Sequence, residues 1–234
     1  MKSTHTIFEI LKISLLIAIV VVLLIINDNM RVIGHGIMSG IKMAQPMVQP
    51  PVNITPFDGP SAGSDSATLT VTAFIDYGCI FCKQFFDEVY PSIQEEYIKT
   101  GKVKFVIHFL PLPIHKNSIE VAKYAVCANR QQAFWKMHNK LFSELGRFSK
   151  QNAEKWIDEI GLEKNKFTSC LKDTSVMSEI NRNMDEAKMN NIQATPTFVI
   201  DNEVHIGMLP YQNFKQIIEE KLLQKKKQNG KTCK

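Results

Sequence analysis

The sequence predicts an α/β fold with elements in the order β-α-β, a helical segment, then β-β-α. Two apolar, β-branched runs separated by an amphipathic segment indicate a parallel β-α-β unit, because parallel strands need a crossover connection. A long stretch with helical periodicity follows at about residues 117–190. Two short apolar runs around a polar turn, and then an amphipathic stretch, complete the order. The chain of 234 residues is long enough for one domain with an insertion, after an N-terminal targeting region.

The first half of the predicted domain consists of two strands and the helix between them. Leu69–Ile75 is rich in β-branched and aromatic residues, which is typical of a buried strand. Cys82–Lys99 has apolar residues near helical spacing, and we expect a kink at Pro91 because proline lacks the backbone N–H. Gly101 ends this helix, and Val103–Phe109 predicts the second strand.

The helical segment and the second half follow. We expect five helices in the segment, at Ser118–Ala128, Ala133–Leu145, Asn152–Ile160, Lys164–Leu171 and Val176–Met189. Thr197–Ile200 and Glu203–Ile206 predict a hairpin that turns at Asp201 and Asn202. Apolar residues on one face of Tyr211–Gln224 predict the last helix.

The N-terminus is typical of an exported chain. Lys2 and Lys12 precede an uncharged apolar stretch, Ile13–Ile26, which is the order of a secretory signal. The stretch is shorter than the roughly 20 residues that span a bilayer, so residues 1–26 are interpreted as a signal peptide or a retained membrane anchor. Residues 27–65, with five prolines, are predicted to be a linker.

The predicted domain therefore spans residues 66–224, and residues 225–234 form a basic tail. Hydrophobic content of 44% and charged content of 22% are ordinary for a globular protein. The net charge of +5 owes much to the tail, whose lysines have no interleaved aromatic residues. We interpret them as a solvated helix end and expect no nucleic-acid partner.

Cys79 and Cys82 lie where the first strand stops and the first helix begins. A thiol at the first turn of a helix faces unpaired N–H groups and the positive end of the helix dipole, which favour its thiolate. The two-residue spacer puts the second sulfur within reach of the first, so that Cys82 can resolve a mixed disulfide formed at Cys79. Five cysteines in an exported chain leave one unpaired, and Cys233 in the polar tail is the natural candidate.

This order of elements, with Cys79-x-x-Cys82 at the strand-to-helix junction and Thr195-Pro196 before the hairpin, resembles the thioredoxin fold with the helical insertion of the DsbA-like thiol oxidoreductases. The resemblance covers roughly Leu69–Leu223. The matching stretches are Phe74–Phe86, Leu112–Ser118, Ala125–Ala128, Phe134–His138, Leu141–Phe142 and Ala194–Phe198.

The resemblance implies an exported protein thiol-disulfide oxidoreductase that introduces disulfides into secreted proteins in the periplasm. Cys79 and Cys82 would be the catalytic pair, a redox-active disulfide that needs no other cofactor and no metal. Pro196 would follow a cis peptide bond that exposes the backbone of Thr195, so that these two residues bind the substrate. The expected partners are reduced or unfolded exported polypeptides and a membrane quinone-linked oxidase that reoxidises the pair.

The sequence departs from the family at two points that affect redox strength. Ile80 and Phe81 stand where strongly oxidising members often have proline followed by histidine. Ala73 stands where some members bury an acid on the strand. Oxidoreductases of this fold differ by roughly 150 mV, so the fold alone does not fix the direction of the reaction, and the oxidising compartment favours oxidation.

The other cysteines and three of the histidines are not assigned to the catalytic pair. Cys127 and Cys170 lie in the helical insert, where they form either a structural disulfide that joins two insert helices or two buried free thiols. His108 and His115 lack the partners of a metal site. His138 has helical spacing with its aromatic neighbours and is interpreted as a packing residue.

Two alternative functions stay open. A disulfide isomerase or reductase of the same fold is compatible with Thr195, although the N-terminal region is too short to be the dimerisation domain of the isomerase branch. The other alternative is a copper-binding thioredoxin-like chaperone, in which Cys79 and Cys82 hold Cu(I) and His205 supplies a third ligand.

Overall fold

The computed structural model describes Val52, Ile54 and residues 59–232, the side chains of residues 229–232 excepted. The signal peptide or anchor predicted at residues 1–26 lies outside the described residues, and so does Cys233. Within the described part of the chain, no helix is both long enough and apolar enough to cross a membrane.

The described residues form the predicted order of elements, with one more strand at the N-terminal end. The strands are β1 (Ser61–Ala62), β2 (Leu69–Ile75), β3 (Val103–Phe109), β4 (Thr197–Ile200) and β5 (Glu203–Ile206). The helices are α1 (Ile80–Glu88), α2 (Tyr90–Ile93), a π-helical segment (Gln94–Ile98), α3 (Ser118–Asn129), α4 (Phe134–Ser143), α5 (Lys150–Ile160), α6 (Lys164–Lys172), α7 (Thr174–Met189) and α8 (Tyr211–Thr232). The helical insertion between the two halves is therefore confirmed, with α3 to α7 as its five helices.

The five described strands form one sheet in the order β1-β3-β2-β4-β5. β2 and β3 are parallel, as the crossover through α1 and α2 requires, and β4 and β5 form the predicted hairpin. Asp201 and Asn202 have φ of 49° and 69°, the left-handed conformation that a tight hairpin turn needs. β4 also pairs antiparallel with β2, with Phe74 opposite Thr197. This pairing joins the second half of the domain to the strand that leads to Cys79.

The helix after β2 differs from its prediction. It begins at Ile80 instead of Cys82, and it is divided into three consecutive segments instead of being one kinked helix. α1 stops at Glu88, and Pro91 lies in the first turn of α2, where its missing N–H breaks no hydrogen bond. Proline thus acts here as a helix start.

Both predicted boundaries of the domain are shifted outward. β1 lies within the predicted linker and pairs antiparallel with β3, and the N–H of Val52 donates to the carbonyl of Asn202 at 3.0 Å. A strand of two residues is too short to show alternation, so no pattern in the sequence predicts it. At the other end, α8 continues to Thr232 instead of ending at Gln224, since lysine is a good helix former.

Aromatic side chains form the core between the sheet and the helices of the thioredoxin-like halves. Phe85 of α1 lies 4.5 Å from Phe198 of β4, and Phe198 lies 5.0 Å from Phe214 of α8, measured between ring centroids. All three are fully buried. Each burial is worth roughly 1.5–3 kcal/mol, so this cluster fixes α1 on the sheet.

The insert is joined by a disulfide. Cys127 of α3 and Cys170 of α6 are linked, with their Cα atoms 5.8 Å apart and a sequence separation of 43. The bond therefore ties two insert helices together, as one of the two interpretations expected.

We expect Cys127→Ala/Cys170→Ala to lower the free energy of unfolding by about 4 kcal/mol, because a crosslink over this many residues restricts the unfolded chain. Urea denaturation of the full chain measures the loss. Exchange at Cys79 and Cys82 should be retained, and an unchanged stability would show that the bond is not formed in the protein.

Candidate active site

The two cysteines occupy unequal positions at the start of α1. Cys79 is the N-cap residue of this helix, with extended backbone, and its N–H donates to the carbonyl of Asp76 at 3.0 Å. Cys82 lies one turn into the helix on its buried face and is inaccessible to solvent. Both carry free thiols. A partner can therefore reach only the first sulfur.

The surroundings of Cys79 favour its thiolate. A hydrogen bond from the Cys82 thiol lowers the pKa of Cys79 most, and burial opposes it. The Thr195 side chain and the backbone N–H groups of Cys82 and Phe81 lower it further, with a net pKa of about 5 against an ordinary value of 9.0. Thiolate is therefore the main form of Cys79 at neutral pH.

Cys82 is shifted in the opposite direction. Burial raises the pKa of Cys82 well above its ordinary value, and the hydrogen bond and negative charge of Cys79 raise it further. At neutral pH the pair therefore holds one thiolate and one thiol, with the charge on Cys79, which is 5% exposed and the less deeply buried of the two.

Thr195 and Pro196 form the wall opposite Cys79. Their peptide bond is cis. The Cys79 thiol, when protonated, donates to the Thr195 carbonyl at 3.2 Å, and the N–H of Gly207 donates to the Pro196 carbonyl at 2.8 Å. The register of β4 on β2 causes this proximity, because Thr197 pairs with Phe74 near the end of β2. The structure thus brings together the four residues that the resemblance assigned to one site.

Apolar side chains surround the opening of the site. Ile80 and Phe81 are each 57% exposed, and Ile114 in the loop after β3 is 83% exposed. Large apolar side chains so exposed mark interaction surfaces when they are grouped. Ile80 and Phe81 directly follow Cys79 and flank any chain bound there.

A buried carboxylate that the sequence analysis did not single out organises the turn before Cys79. Asp76 accepts hydrogen bonds from the N–H of Gly78 at 2.8 Å and from the N–H of Leu112 at 2.7 Å. It also contacts His115 Nδ1 at 2.7 Å and accepts from the Ser118 hydroxyl. The carboxylate thereby joins the loop after β2 to the loop after β3. An acid just before a cysteine pair was the available signal, but three of its partners, Leu112, His115 and Ser118, are 36 to 42 positions away.

The remaining histidines have other partners. His108 contacts Glu186 in the core at 3.2 Å, and His138 contacts the Tyr77 hydroxyl at 3.0 Å. His205 lies on β5 opposite Phe198. In the part of the chain that the structure describes, no three Cys, His, Asp or Glu residues are grouped to hold a metal ion. The copper hypothesis therefore finds no third ligand there.

The alkylation rate of reduced Cys79 is expected to be half-maximal at about pH 5, because only the thiolate reacts. The lowered pKa stabilises the folded reduced protein; this stabilisation is complete above about pH 9 and is lost as the pH falls through about 5. Iodoacetamide labelling across pH measures the midpoint. Cys82→Ala removes the main hydrogen bond and should raise the midpoint, whereas a wild-type midpoint near 9 would contradict the geometry.

Gly78→Ala should destabilise the site, because the new Cβ would lie 2.4 Å from the Cβ of His115. Relief requires His115 to move away from Asp76, at a cost of about 1–3 kcal/mol. Thermal unfolding measures the cost. His115→Gly removes the side chain that the new Cβ would meet, so Gly78→Ala should cost less stability in that background, and an equal loss in both backgrounds would refute the role of the clash.

Comparisons with known proteins agree with this geometry. The thioredoxin family model matches residues 57–220. Disulfide bond formation protein D of Bacillus subtilis is 30% identical over 177 residues, which cover 70% of this chain and 77% of that protein. The crystal structure of oxidised BdbD from Bacillus subtilis has 27% identity and a TM-score of 0.63, and the match covers 70% of this chain and 92% of that one.

A more distant structure shows the same fold. The thiol-disulfide exchange protein α-DsbA2 from Wolbachia pipientis has 21% identity and a TM-score of 0.62, with 69% of this chain and 86% of that chain covered. The extent of the family match and the Bacillus relative decide the assignment. The chain belongs to the thioredoxin family, and it is a DsbA-like protein-disulfide oxidoreductase.

Proposed function

We propose that the protein acts outside the cytoplasm, in the periplasm, and introduces disulfides into exported polypeptides through a redox-active Cys79–Cys82 disulfide. The disulfide is its only redox group, with no further cofactor. Thr195 and Pro196 bind the backbone of the substrate. The N-terminal apolar stretch supports export, either as a cleaved signal or as a membrane anchor.

The low pKa of Cys79 is the main observation that favours oxidation of the substrate over its reduction. A stabilised thiolate favours the reduced pair, and a pair that is stable when reduced is a good oxidant. The pKa of about 5 lies between the values of about 7 in thioredoxin and about 3.5 in DsbA. The protein is therefore an oxidant of intermediate strength.

The exchange takes two steps. A substrate thiolate attacks the sulfur of Cys79, forms a mixed disulfide, and the electron pair of the Cys79–Cys82 bond leaves on Cys82. A second substrate thiolate then attacks the substrate sulfur of the mixed disulfide and expels Cys79. Two electrons pass from the substrate to the cysteine pair, and the substrate gains one disulfide. Cys79 is a good leaving group because its pKa is low.

Substrate binding is supported by the surface around Cys79. The Thr195 carbonyl lies 3.2 Å from the Cys79 sulfur, so an extended polypeptide that reaches Cys79 meets the backbone at Thr195 and can pair with it. Ile80, Phe81 and Ile114 are exposed apolar side chains, and they can contact the apolar side chains that an unfolded polypeptide leaves exposed. These features favour reduced, unfolded exported polypeptides over small-molecule thiols.

Each turnover leaves the cysteine pair reduced, so a partner must remove two electrons. A membrane quinone-linked oxidase fits this need, since the periplasm is kept oxidising by such a system and not by a thiol buffer. The accessible sulfur of Cys79 is the contact point for that partner as well as for substrates.

Equilibration of the full chain in glutathione buffers, followed by trapping of free thiols, should give a reduction potential between the roughly −270 mV of thioredoxin and the roughly −120 mV of DsbA. We expect this range because the stabilised Cys79 thiolate favours the reduced pair. A potential as low as that of thioredoxin would favour the reductase alternative and overturn the oxidase proposal.

Cys79→Ala should abolish oxidation of a reduced test protein, because no accessible sulfur remains. Cys82→Ala should also fail to oxidise it, because no Cys79–Cys82 disulfide can form. With an oxidised test protein, its Cys79 thiolate should attack a substrate disulfide and accumulate as a mixed disulfide, seen on non-reducing gels, because the resolving sulfur is lost. Cys127→Ala/Cys170→Ala is the matched control, since it removes two cysteines outside the site. Normal turnover of Cys82→Ala would refute the two-cysteine mechanism.

A further inference from the structure

A cavity of about 400 Å³ opens beside the turn that carries Cys79. Tyr77 and Gly78, the two residues before Cys79, line one part of it. Residues 114–117 in the loop after β3 line another part, and the helical insert supplies the rest of the lining. Ligand pockets in proteins start at roughly 300 Å³, so this space is sufficient for a large side chain. The exchange described above gives the cavity no role.

The buried part of the lining is apolar. It consists of Val121 of α3, Leu141 of α4 and Trp156 of α5, which are all buried. Polar side chains lie where the cavity opens, since Lys116 and Asn117 are exposed. An apolar interior with a few polar groups at the opening is the usual composition of a site that binds an apolar group.

Contacts within the protein hold the walls of the cavity in place. The Nδ1 atom of His115 is 2.7 Å from the buried carboxylate of Asp76. The same side chain lies against Gly78, where an added Cβ would be only 2.4 Å from the Cβ of His115. In the loop between α4 and α5, the ring of Phe148 is 5.1 Å from that of Tyr124. A cavity with ordered walls binds a side chain without the entropic cost of ordering them.

The charges in the lining do not select a charged ligand. Lys116 and Glu144 carry opposite charges, and Glu144 is also 3.6 Å from Arg147. An anion and a cation would therefore each meet a like charge. The apolar surface decides what the cavity binds.

The position of the cavity identifies its occupant. In each exchange a polypeptide is bonded to Cys79 as a mixed disulfide. Gly78 lines the cavity and directly precedes Cys79, with about 3.8 Å between their Cα atoms. An extended polypeptide advances about 3.3 Å per residue, so the residues within two or three positions of its bonded cysteine can reach the cavity.

We propose that the cavity binds a large apolar side chain of the substrate polypeptide, two or three positions from the cysteine that is bonded to Cys79. A folded protein buries most of its large apolar side chains, whereas a reduced, unfolded chain exposes them. The cavity therefore favours unfolded substrates, and it adds a side-chain site to the backbone contact at Thr195. The inference deepens the proposed function and rests on the mixed disulfide at Cys79.

Reduced peptides with two cysteines test the inference. They differ at one position, two or three residues before the first cysteine or after the second, where they carry phenylalanine, alanine or glutamate. The oxidised full chain should oxidise the best phenylalanine peptide with a kcat/KM about tenfold above that of the alanine peptide, because a large apolar side chain is buried. The gain should lie mainly in KM, since neither catalytic cysteine lines the cavity. Glutamate should give no gain, because its charge would have to be desolvated.

Two variants of the lining and one matched control locate the effect. Ile114→Ser and Leu145→Ser each shorten an apolar side chain of the cavity. Ile114 is exposed and Leu145 is half-buried in a turn, so neither substitution should unfold the protein. Each should reduce the preference for phenylalanine to about threefold or less. Ile119→Ser also removes an exposed isoleucine, but one outside the lining, and should keep the full preference.

Equal kcat/KM for the phenylalanine and alanine peptides would overturn the inference. A preference that survives Leu145→Ser, or one that is lost equally in Ile119→Ser, would also overturn it. If the peptides showed no preference while Leu145→Ser slowed reoxidation by membranes, the cavity would belong to the reoxidising partner and not to the substrate.

The same peptides in disulfide form separate this inference from the proposed function. The reduced full chain attacks them through Cys79 and forms the same kind of mixed disulfide, so the preference for phenylalanine should appear in this direction as well. A wild type that shows the preference here, but does not oxidise the reduced peptides, would count against the oxidase proposal alone.

Discussion

The antiparallel pairing of β4 with β2 is the contact on which the active site depends. β2 ends just before the turn that carries Cys79, and β4 begins just after Pro196. Their register therefore places the Thr195 carbonyl 3.2 Å from the sulfur of Cys79, although the two residues are 116 positions apart in the chain. The aromatic core behind the sheet fixes both strands relative to α1. The helical insert occupies the sequence between them without changing this register.

The reactivity of the site follows from the unequal burial of two identical side chains. The helix geometry places Cys79 at the N-cap of α1, where it is 5% exposed, and Cys82 on the buried face, where it is inaccessible to solvent. Desolvation keeps a proton on Cys82, and that proton is donated to Cys79, so the burial of one sulfur favours the thiolate of the other. The same burial makes the Cys82 thiolate costly when the disulfide opens. The burial of Cys82 thus favours the Cys79 thiolate in the reduced protein and disfavours the Cys82 thiolate that forms when the disulfide opens.

Local patterns in the sequence predicted most of the fold, and the failures have physical reasons. The long strands and helices, the hairpin and the insert have strong periodicity, and the reactive pair and Thr195-Pro196 are short motifs. β1 is too short for any period, and its position depends on its pairing with β3. The contacts of Asp76 with the loop after β3 and the Tyr77–His138 pair join residues 36 to 61 positions apart. Sequence spacing shows that His138 is on an apolar helix face, but not which hydroxyl meets it.

The dipeptide between the cysteines shows that different groups in this site determine its redox strength and its contacts with a bound polypeptide. The absence of proline and histidine there removes the usual reasons to expect an extreme oxidant. The structure shows that the Cys82 thiol and two backbone N–H groups, from Phe81 and Cys82, lower the pKa of Cys79. Backbone donors are present whatever side chains Ile80 and Phe81 carry. These two exposed apolar side chains are therefore free to contact a bound polypeptide, while the helix start and the buried sulfur set the redox strength.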